Sequence, residues 1–369
     1  MPPGETMPPG ETMPPGETVP PGETGGQREP VMPGGEDFAR LTDPFRTELL
    51  AHCYRMLGSV HDAEDQLQET LIRAWRSYDG FRGQSSLRTW LYRIATNACL
   101  RALETRSRRP LPSGLGGPGE DTAAPLAAAR PEVPWLEPFP DALAPPDPAS
   151  VVTSRASMRL ALIAALQYLP PRQRAVLILR DVLGWHAAEV ARLLDSTPAA
   201  VNSVLQRARA QLDRVAPVED ELREPADPDT RALVDRYAMA FENADMGALM
   251  GLLRADAVLE MPPLPTWFAG RAAVCSFLGG QVLLEPGRFR LTAVAANGQP
   301  AFGAYLREHD GVHRAHGIMV LTVAGAGITR IVSFHDPGLF PAFGLPPAVP
   351  AGTRPGQQPG AWLAVRPRT

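Results

Sequence analysis

The stretch FRGQSSLRTWLYRIATNACLRALETRSRR, Phe81 to Arg109, carries seven arginines against one acid, Glu104, and threads Trp90 and Tyr92 between them. Wound at about 100° per residue, it gathers Leu87, Leu91, Ile94, Ala98 and Ala102 on one face. Trp90, Arg93, Asn97 and Arg101 form a stripe beside that face. One face is suited to packing and its neighbour to a partner. Guanidinium forks bind phosphates and an indole offers a flat surface to an unstacked base, so the stripe suits nucleic acid, single-stranded as well as duplex. A solvated charged helix with a core tryptophan carries the same pattern, and this helix alone leaves both readings open.

A second element tips the balance. HAAEVARLLDSTPAAVNSVLQRARAQL, His186 to Leu212, has the layout of a helix-turn-helix, with Ala191, Val201 and Val204 spaced so that two short helices cross closely. The sharp turn falls at Asp195, a residue that tolerates the left-handed conformation better than most. Thr197 is the expected N-cap and Pro198 the first helical residue. The second helix then presents Ala199, Asn202, Ser203 and Gln206 toward base edges, with Arg207 and Arg209 placed for phosphates. Hairpins of this outline also occur in plain helical bundles.

The 369 residues leave room for two or three domains. A formal charge of −4 and a pI near 6.0 exclude a generally basic protein. The average hides arginine-rich stretches at 82–109 and 172–214, balanced by an acidic N-terminal tail and an acidic stretch at 219–229; local charge decides partners. Cys53, Cys99 and Cys275 lie far apart in sequence with no CxxC spacing, so neither a disulfide framework nor a zinc site is expected. No apolar run has the length of a membrane span and no basic-plus-apolar signal opens the chain, which predicts a cytoplasmic protein.

The chain opens with four near-copies of one hexapeptide, MPPGET three times and then VPPGET, and residues 1–36 are expected to be a disordered tail. A helical domain is expected at 37–109, since Leu49, Leu50, Cys53, Met56 and Leu57 keep helical spacing, as do Leu67, Leu71, Ala74 and Trp75. Residues 110–150, rich in proline and glycine, read as a flexible tether. A second helical block spans 151–215, with Pro170-Pro171 ending one helix and beginning another. Beyond an acidic joint, helices at Arg231 to Glu242 and Met246 to Leu253 precede strand-like runs at Ala257 to Met261, Phe289 to Ala295, Ala301 to Glu308, Gly317 to Val323 and Ile328 to Phe334. That order predicts an α+β domain over 229–340, and 341–369 read as a disordered tail.

HDAEDQLQETLIRAWRSYDGFRGQSSLRTWLYRIATNACLRALETRSRR resembles region 2 of bacterial sigma-70-type RNA polymerase factors of the extracytoplasmic-function group. LPPRQRAVLILRDVLGWHAAEVARLLDSTPAAVNSVLQRARAQL resembles their region 4. The two cover about a third of the chain, in the family's order. The resemblance implies two all-α modules that bind the polymerase core and direct recognition of the −10 and −35 promoter elements. It assigns Asp62, Glu64, Asp65, Gln68, Glu69 and Arg73 to the helix that docks on the clamp helices of the largest polymerase subunit. It places Trp90 beside the point where the −10 element melts, Asn97 against an extruded base, and Arg101, Arg106, Arg108 and Arg109 along the phosphates. Such a pocket offsets the few kcal/mol that unstacking a base costs. Trp90 buried wholly in the core, and a merely solvated face on the 62–73 helix, remain open alternatives.

Residues 229–340 resemble the SnoaL-like cone, a curved sheet around a pocket, which a subset of these factors carries to modulate activity in place of, or alongside, an anti-sigma protein. Tyr237, Phe241, Glu260, Trp267, His316 and His335 are the candidates for a small-molecule pocket. His335-Asp336 invites a proton-transfer reading, but adjacent strand residues point to opposite faces and a structural role is preferred. His309, His313 and His316 lack ligand spacing, so no metal, no cofactor and no catalysis are expected. The rival readings are a ligand-responsive helix-turn-helix regulator, which leaves 62–109 unexplained, and a SnoaL-like enzyme fused to DNA-binding modules.

Overall fold

The computed structural model describes residues 35–81, 83, 85–145, 157–215 and 227–350. The hexapeptide tail, most of the acidic joint and residues 351–369 lie outside the described residues.

The N-terminal module is built from α1 (Gly35–Thr42), α2 (Arg46–Leu57), α3 (Val60–Arg76) and α4 (Leu87–Glu104). Each long helix begins where a hydroxyl can satisfy a free amide: Ser59 accepts from Asp62 N at α3, and Ser86 from Thr89 N at α4. Gly58 ends α2 at φ 71°, and a side chain there would strike Leu136 of the following segment at 2.8 Å. α2 runs through the centre of the module with Leu49, Cys53, Tyr54, Met56 and Leu57 buried. Each such leucine contributes roughly 1.5–3 kcal/mol by leaving water. Arg88 of α4 locks onto Glu48 of α2 through two nitrogens at 2.7–3.0 Å, holding the two helices in register.

The second helical module comprises α5 (Leu160–Leu166), α6 (Pro171–Leu177), α7 (Ala187–Leu193) and α8 (Pro198–Val215). Asp195 turns the chain at φ 50°, Thr197 Oγ1 accepts from Ala200 N at 3.2 Å, and Pro198 opens α8. Ala191 is buried where α7 crosses α8. The module packs on the first: Trp185 stands edge-on to Tyr92 with ring centroids 5.3 Å apart. Arg174 is buried between the modules and donates to carbonyls of Met56, Gln167 and Leu169. With no carboxylate beside it, burial lowers its pKa to about 10.

The C-terminal domain begins with α9 (Pro228–Glu242) and α10 (Met246–Leu252), adds α11 (Arg271–Phe277), and wraps them on a sheet of seven strands. These are β1 (Leu253–Glu260), β2 (Trp267–Ala269), β3 (Phe289–Ala296), β4 (Gln299–Arg307), β5 (His313–Ala324), β6 (Gly327–Phe334) and β7 (Ala348–Val349), in the order β2-β1-β6-β5-β4-β3, with β7 on β5. Only the β1–β6 pair among the described strands is parallel. Strand alternation divides the sheet. Leu259, Phe302, Met319 and Ile331 face the helices, while Tyr305, Ile318, Val320 and Phe334 share one core with the helical modules. A sheet apolar on both faces needs cover on both.

Much of that second cover comes from the segment expected to be a tether. Over 110–145, Leu111, Leu136 and Phe139 are buried, and Tyr54 donates to the Glu137 carbonyl at 2.7 Å. Isolated apolar residues here each fill a different hollow along an extended path, a pattern with no period to detect. Likewise 341–350 is not loose: Leu345 and Phe343 pack against the core and β7 pairs with β5. The three modules meet at the β3–β4 turn, Asn297-Gly298, where both residues have positive φ. Asn297 Nδ2 donates to Tyr54 OH at 2.9 Å and to the Met158 carbonyl at 2.7 Å, and its Oδ1 accepts from Phe139 N at 2.8 Å.

Candidate nucleic-acid interface and C-terminal cavity

The stripe on α4 is real. Trp90, Arg93, Ile94, Asn97 and Arg101 line an open groove of ≈ 250 Å³ with Arg73 and Ser77 at the end of α3. Trp90 is half-buried: Phe81, at a 5.0 Å centroid distance, and Tyr78, at 6.3 Å, support one side. Trp90 therefore belongs to an aromatic cluster and to the groove at once. The packed face of α4 differs from the expected one. Leu91, Tyr92, Ala95, Thr96, Ala98 and Cys99 are buried, whereas Leu87, Ile94 and Ala102 are half-buried. Tyr92 joins the core because Trp185 of the second module covers it, which periodicity within one helix does not reveal.

The arginines beyond α4 are not free. Arg106 and Arg109 both pair with Asp62, Arg109 also donates to the Trp135 carbonyl at 2.8 Å, and Arg108 donates to the Gly114 carbonyl at 3.0 Å. Asp62 correspondingly faces inward, while Gln68 and Asp65 are exposed and Glu64, Glu69 and Arg73 partly so. Arg73 pairs with Glu69 one turn away. Trp75, whose spacing matches that of Leu67, Leu71 and Ala74, is nevertheless 42 % exposed, because Ala63, Leu67, Thr70 and Ala74 form the buried stripe.

On α8, Ala199, Asn202, Ser203, Gln206, Arg207 and Arg209 are all exposed on one side, and Val201, Leu205 and Ala208 are buried on the other. Arg209 is held by Asp181 at 2.7 Å and Arg207 by Ser203 at 2.9 Å. The turn before α8 reaches the first module: Arg93 Nη2 lies 3.1 Å from Asp195 Oδ1.

The C-terminal domain encloses a cavity of ≈ 180 Å³. Tyr237, Phe241, His316 and His335 line it as expected; Glu260 and Trp267 do not. Glu260 points to the opposite face from Leu259 and Met261, is fully buried against Arg330 at 2.6 Å, and burial raises its pKa. Trp267 donates to the Gly116 carbonyl at 2.9 Å. His316 and His335 lie tilted against each other, their planes 45° apart and centroids 4.7 Å apart. Burial, and then the neighbouring His316, push the His335 pKa down to about 3, and burial lowers that of His316. Asp336 turns away, its carboxylate accepting from Gly338 N at 2.8 Å.

Sequence reading missed Asn297, although Asn-Gly between two strand-like runs is the strongest short-range hairpin signal. It also missed that Cys53 and Cys99 meet across α2 and α4: a hydrogen bond with Cys53, with burial, raises the Cys99 pKa. Residues 44 to 46 apart on separate helices carry no local signal. Among the described residues no cluster of metal-ligating side chains occurs, and no helix is long and apolar enough to cross a membrane.

Two helical modules, one with an aromatic–arginine groove and one with an exposed helix-turn-helix face, define a sigma-type factor carrying an α+β accessory domain. Residues 41–109 match the family model for sigma-70 region 2, residues 159–212 that for sigma-70 region 4, and residues 234–331 that for the SnoaL-like domain. The ECF RNA polymerase sigma factor SigG of Mycobacterium tuberculosis is 52% identical over 322 residues, 86% of each chain. SigJ of the same species is 27% identical over 81% of this chain and 91% of that one. The crystal structure of SigJ superposes with a TM-score of 0.54 at 22% identity, over 84% of this chain and 100% of that one, a likeness of fold. The chain belongs to the ECF sigma factor family.

Proposed function

We propose that this sigma factor binds the polymerase core in the cytoplasm through the polar side of α3, with Glu64, Asp65, Gln68, Glu69 and Arg73, and opens promoter DNA at the α4 groove. Trp90 supplies the stacking surface for a base flipped out of the −10 element, Asn97 its hydrogen-bonding edge, and Arg93 and Arg101 the phosphate grip. The single observation that carries this reading is the groove itself: four residues of one helical stripe line a hollow of ≈ 250 Å³. Ala199, Asn202, Ser203 and Gln206 read the −35 element in the major groove, Arg207 and Arg209 steadying the backbone. Asp62, Arg106 and Arg109 form the more deeply set cluster, whereas Arg93 and Arg209 give up exposed pairs with Asp195 and Asp181 to reach phosphate.

The C-terminal domain acts as a regulatory unit rather than a catalyst. Among the described residues lining its cavity there is no carboxylate, and Glu260 is bound to Arg330 on the other face. Either a small molecule or a protein partner of anti-sigma type is compatible with a modulating role. The test is transcription with core polymerase and a promoter fragment. Arg93→Ala with Asn97→Ala is expected to keep core binding but reduce permanganate-reactive melting by about tenfold or more, in line with the few kcal/mol of unstacking. Undiminished melting overturns the groove assignment.

A further inference from the structure

Asp65, Glu69, Arg73 and Ser77 follow one another at four-residue steps, a single stripe that runs along α3 and past its end. The end of that stripe is a wall of the groove, which Arg73 and Ser77 line together with Trp90, Arg93, Asn97 and Arg101 of α4. Arg73 therefore belongs to two surfaces. Its carbonyl accepts from the Ser77 hydroxyl at 2.7 Å, and its guanidinium pairs with Glu69 one turn back, on the polar side of the helix.

Two of the three arginines on the groove are neutralised by carboxylates that do not line it. Glu69 holds Arg73, and Asp195, in the turn before α8, lies 3.1 and 3.4 Å from Arg93 Nη2 through its two oxygens. A carboxylate meets a guanidinium as a phosphate does. Both pairs are open to water, with Arg73 and Glu69 side chains 36 % and 42 % exposed and those of Arg93 and Asp195 50 % and 76 %. Exposed pairs are weak, so each yields to a stronger anion. Asp195 also sits at φ 50°, where glycine is easiest, so the turn itself gives no reason for an acid there. Arg93 does.

Neither carboxylate can keep its place while a promoter is open. The −35 and −10 elements lie about 25 base pairs apart, roughly 85 Å of duplex at about 3.4 Å per pair. The contact between Arg93 and Asp195, in contrast, sets the turn before α8 directly against the groove. A chain that holds both elements has moved Asp195 off Arg93. Glu69 lies on the side of α3 that docks on the polymerase, where a partner draws its charge away from Arg73.

We propose that Arg73 is a strand-contact residue of the groove, and that Glu69 and Asp195 substitute for DNA phosphates on Arg73 and Arg93 in the free chain. The proposal rests on the polymerase and groove roles of α3 and α4, and adds one DNA-binding residue and two carboxylates that weaken the groove's hold on single strands. The groove reaches its full positive charge when α3 is docked and the second helical module has gone to its own duplex.

The full-length chain, without polymerase, is titrated by fluorescence anisotropy with labelled random-sequence single-stranded DNA of about 15 nucleotides over a salt series. Glu69→Gln and Asp195→Asn, the latter a residue that also accepts positive φ, are each expected to tighten binding at least about threefold. Each is expected to steepen the slope of log affinity against log salt by about 0.7, the increment for one more phosphate contact on a single strand. In an Arg73→Gln background Glu69→Gln is expected to do neither, which separates a freed guanidinium from the mere loss of a negative charge. Where the parent chain does not bind, binding by the chain carrying both substitutions is the expected result. In complex with saturating core polymerase, Arg73→Gln is expected to reduce permanganate-reactive melting at least about threefold and Arg73→Lys to recover part of it. Unchanged affinity and slope in Glu69→Gln and Asp195→Asn, a Glu69→Gln gain that persists without Arg73, or melting indifferent to Arg73→Gln overturns the proposal. Arg93→Ala with Asn97→Ala is the reference. If that pair weakens strand binding or melting while the carboxylate variants do nothing, the phosphate substitution alone falls; if it alters neither, the groove assignment falls and takes the proposal with it.

Discussion

Asn297 at the β3–β4 turn is fully buried and His335 at the end of β6 is half-buried, both polar groups of the same domain, and they are treated in opposite ways. Asn297 spends its side-chain oxygen, its side-chain nitrogen and its backbone amide on Tyr54, Phe139 and Met158. His335 spends only its backbone amide, on the Pro262 carbonyl, and leaves its ring to the cavity and to His316. The first arrangement is what a structural junction requires, since a buried polar group without partners costs about 1–3 kcal/mol. The second is tolerable only where something else completes it. Satisfaction of hydrogen bonds, more than residue type, separates the joint of this molecule from its candidate sensor.

The largest effect expected from this contrast is at the joint. Asn297→Gly keeps the positive φ of the turn without strain and removes three side-chain hydrogen bonds at once. Leaving the Phe139 amide, the Tyr54 hydroxyl and the Met158 carbonyl short of partners is expected to destabilise the chain by about 2–4 kcal/mol in a denaturant titration. Hydrogen exchange should accelerate first over 135–141. A loss below about 0.5 kcal/mol would mean that water replaces the side chain there and that the joint is wet.

The contrast also explains what the sequence made legible. Helical spacing, the N-cap at Thr197, the αL turn at Asp195 and the strand runs were readable because each depends on neighbours within a few residues. The groove on α4 was readable for the same reason, being four residues of one helical stripe. Most of the cavity set was readable: Tyr237, Phe241, His316 and His335 line it, whereas Glu260 and Trp267 were displaced by strand parity and by the segment at 116–119. What was hidden is whatever one module does to another. The burial of Tyr92 by Trp185, the capture of Arg106 and Arg109 by Asp62, and the packing of 110–145 all depend on surfaces distant in sequence. Composition read that last segment as a tether because proline and glycine report local stiffness and freedom, not the hollows that Leu111, Leu136 and Phe139 fill.

A middle-sized effect follows from two histidines whose pKa values burial holds at about 3, half-buried His335 beside the cavity and fully buried His52 in the first module. Both folded-state values lie below the unfolded value of 6.5, so protonation favours unfolding. Their contribution to stability is complete above pH 6.5 and is lost as pH falls toward 3. At pH 5 the loss amounts to roughly 2 kcal/mol for each. A thermal series from pH 7.5 to 5 should show the melting temperature falling, and His335→Phe should make that fall shallower, with His316 and His313, also lowered by burial, keeping a share of it. His52→Gln should remove a comparable share, its ring bonding Thr96 Oγ1 at 3.0 Å. A slope unchanged by His335→Phe would place that ring in water and erase the difference between cavity and joint.

The smallest effect is the most discriminating, because it concerns a hydroxyl that opens into the cavity and bonds no described protein group. Ser333 lies on β6 between Ile331 and His335, on the cavity side of the sheet, with no hydrogen-bond partner among the described residues. Removing a hydroxyl that opens to the cavity breaks no bond to the protein, so Ser333→Ala is expected to leave stability within about 0.5 kcal/mol of the parent. Asn297→Gly removes a buried, fully bonded side chain and lowers stability by several times as much. If Ser333→Ala instead destabilises the chain by 1 kcal/mol or more, its hydroxyl is bonded in solution, the cavity wall is already complete, and the opposition between a spent joint and an unspent pocket collapses.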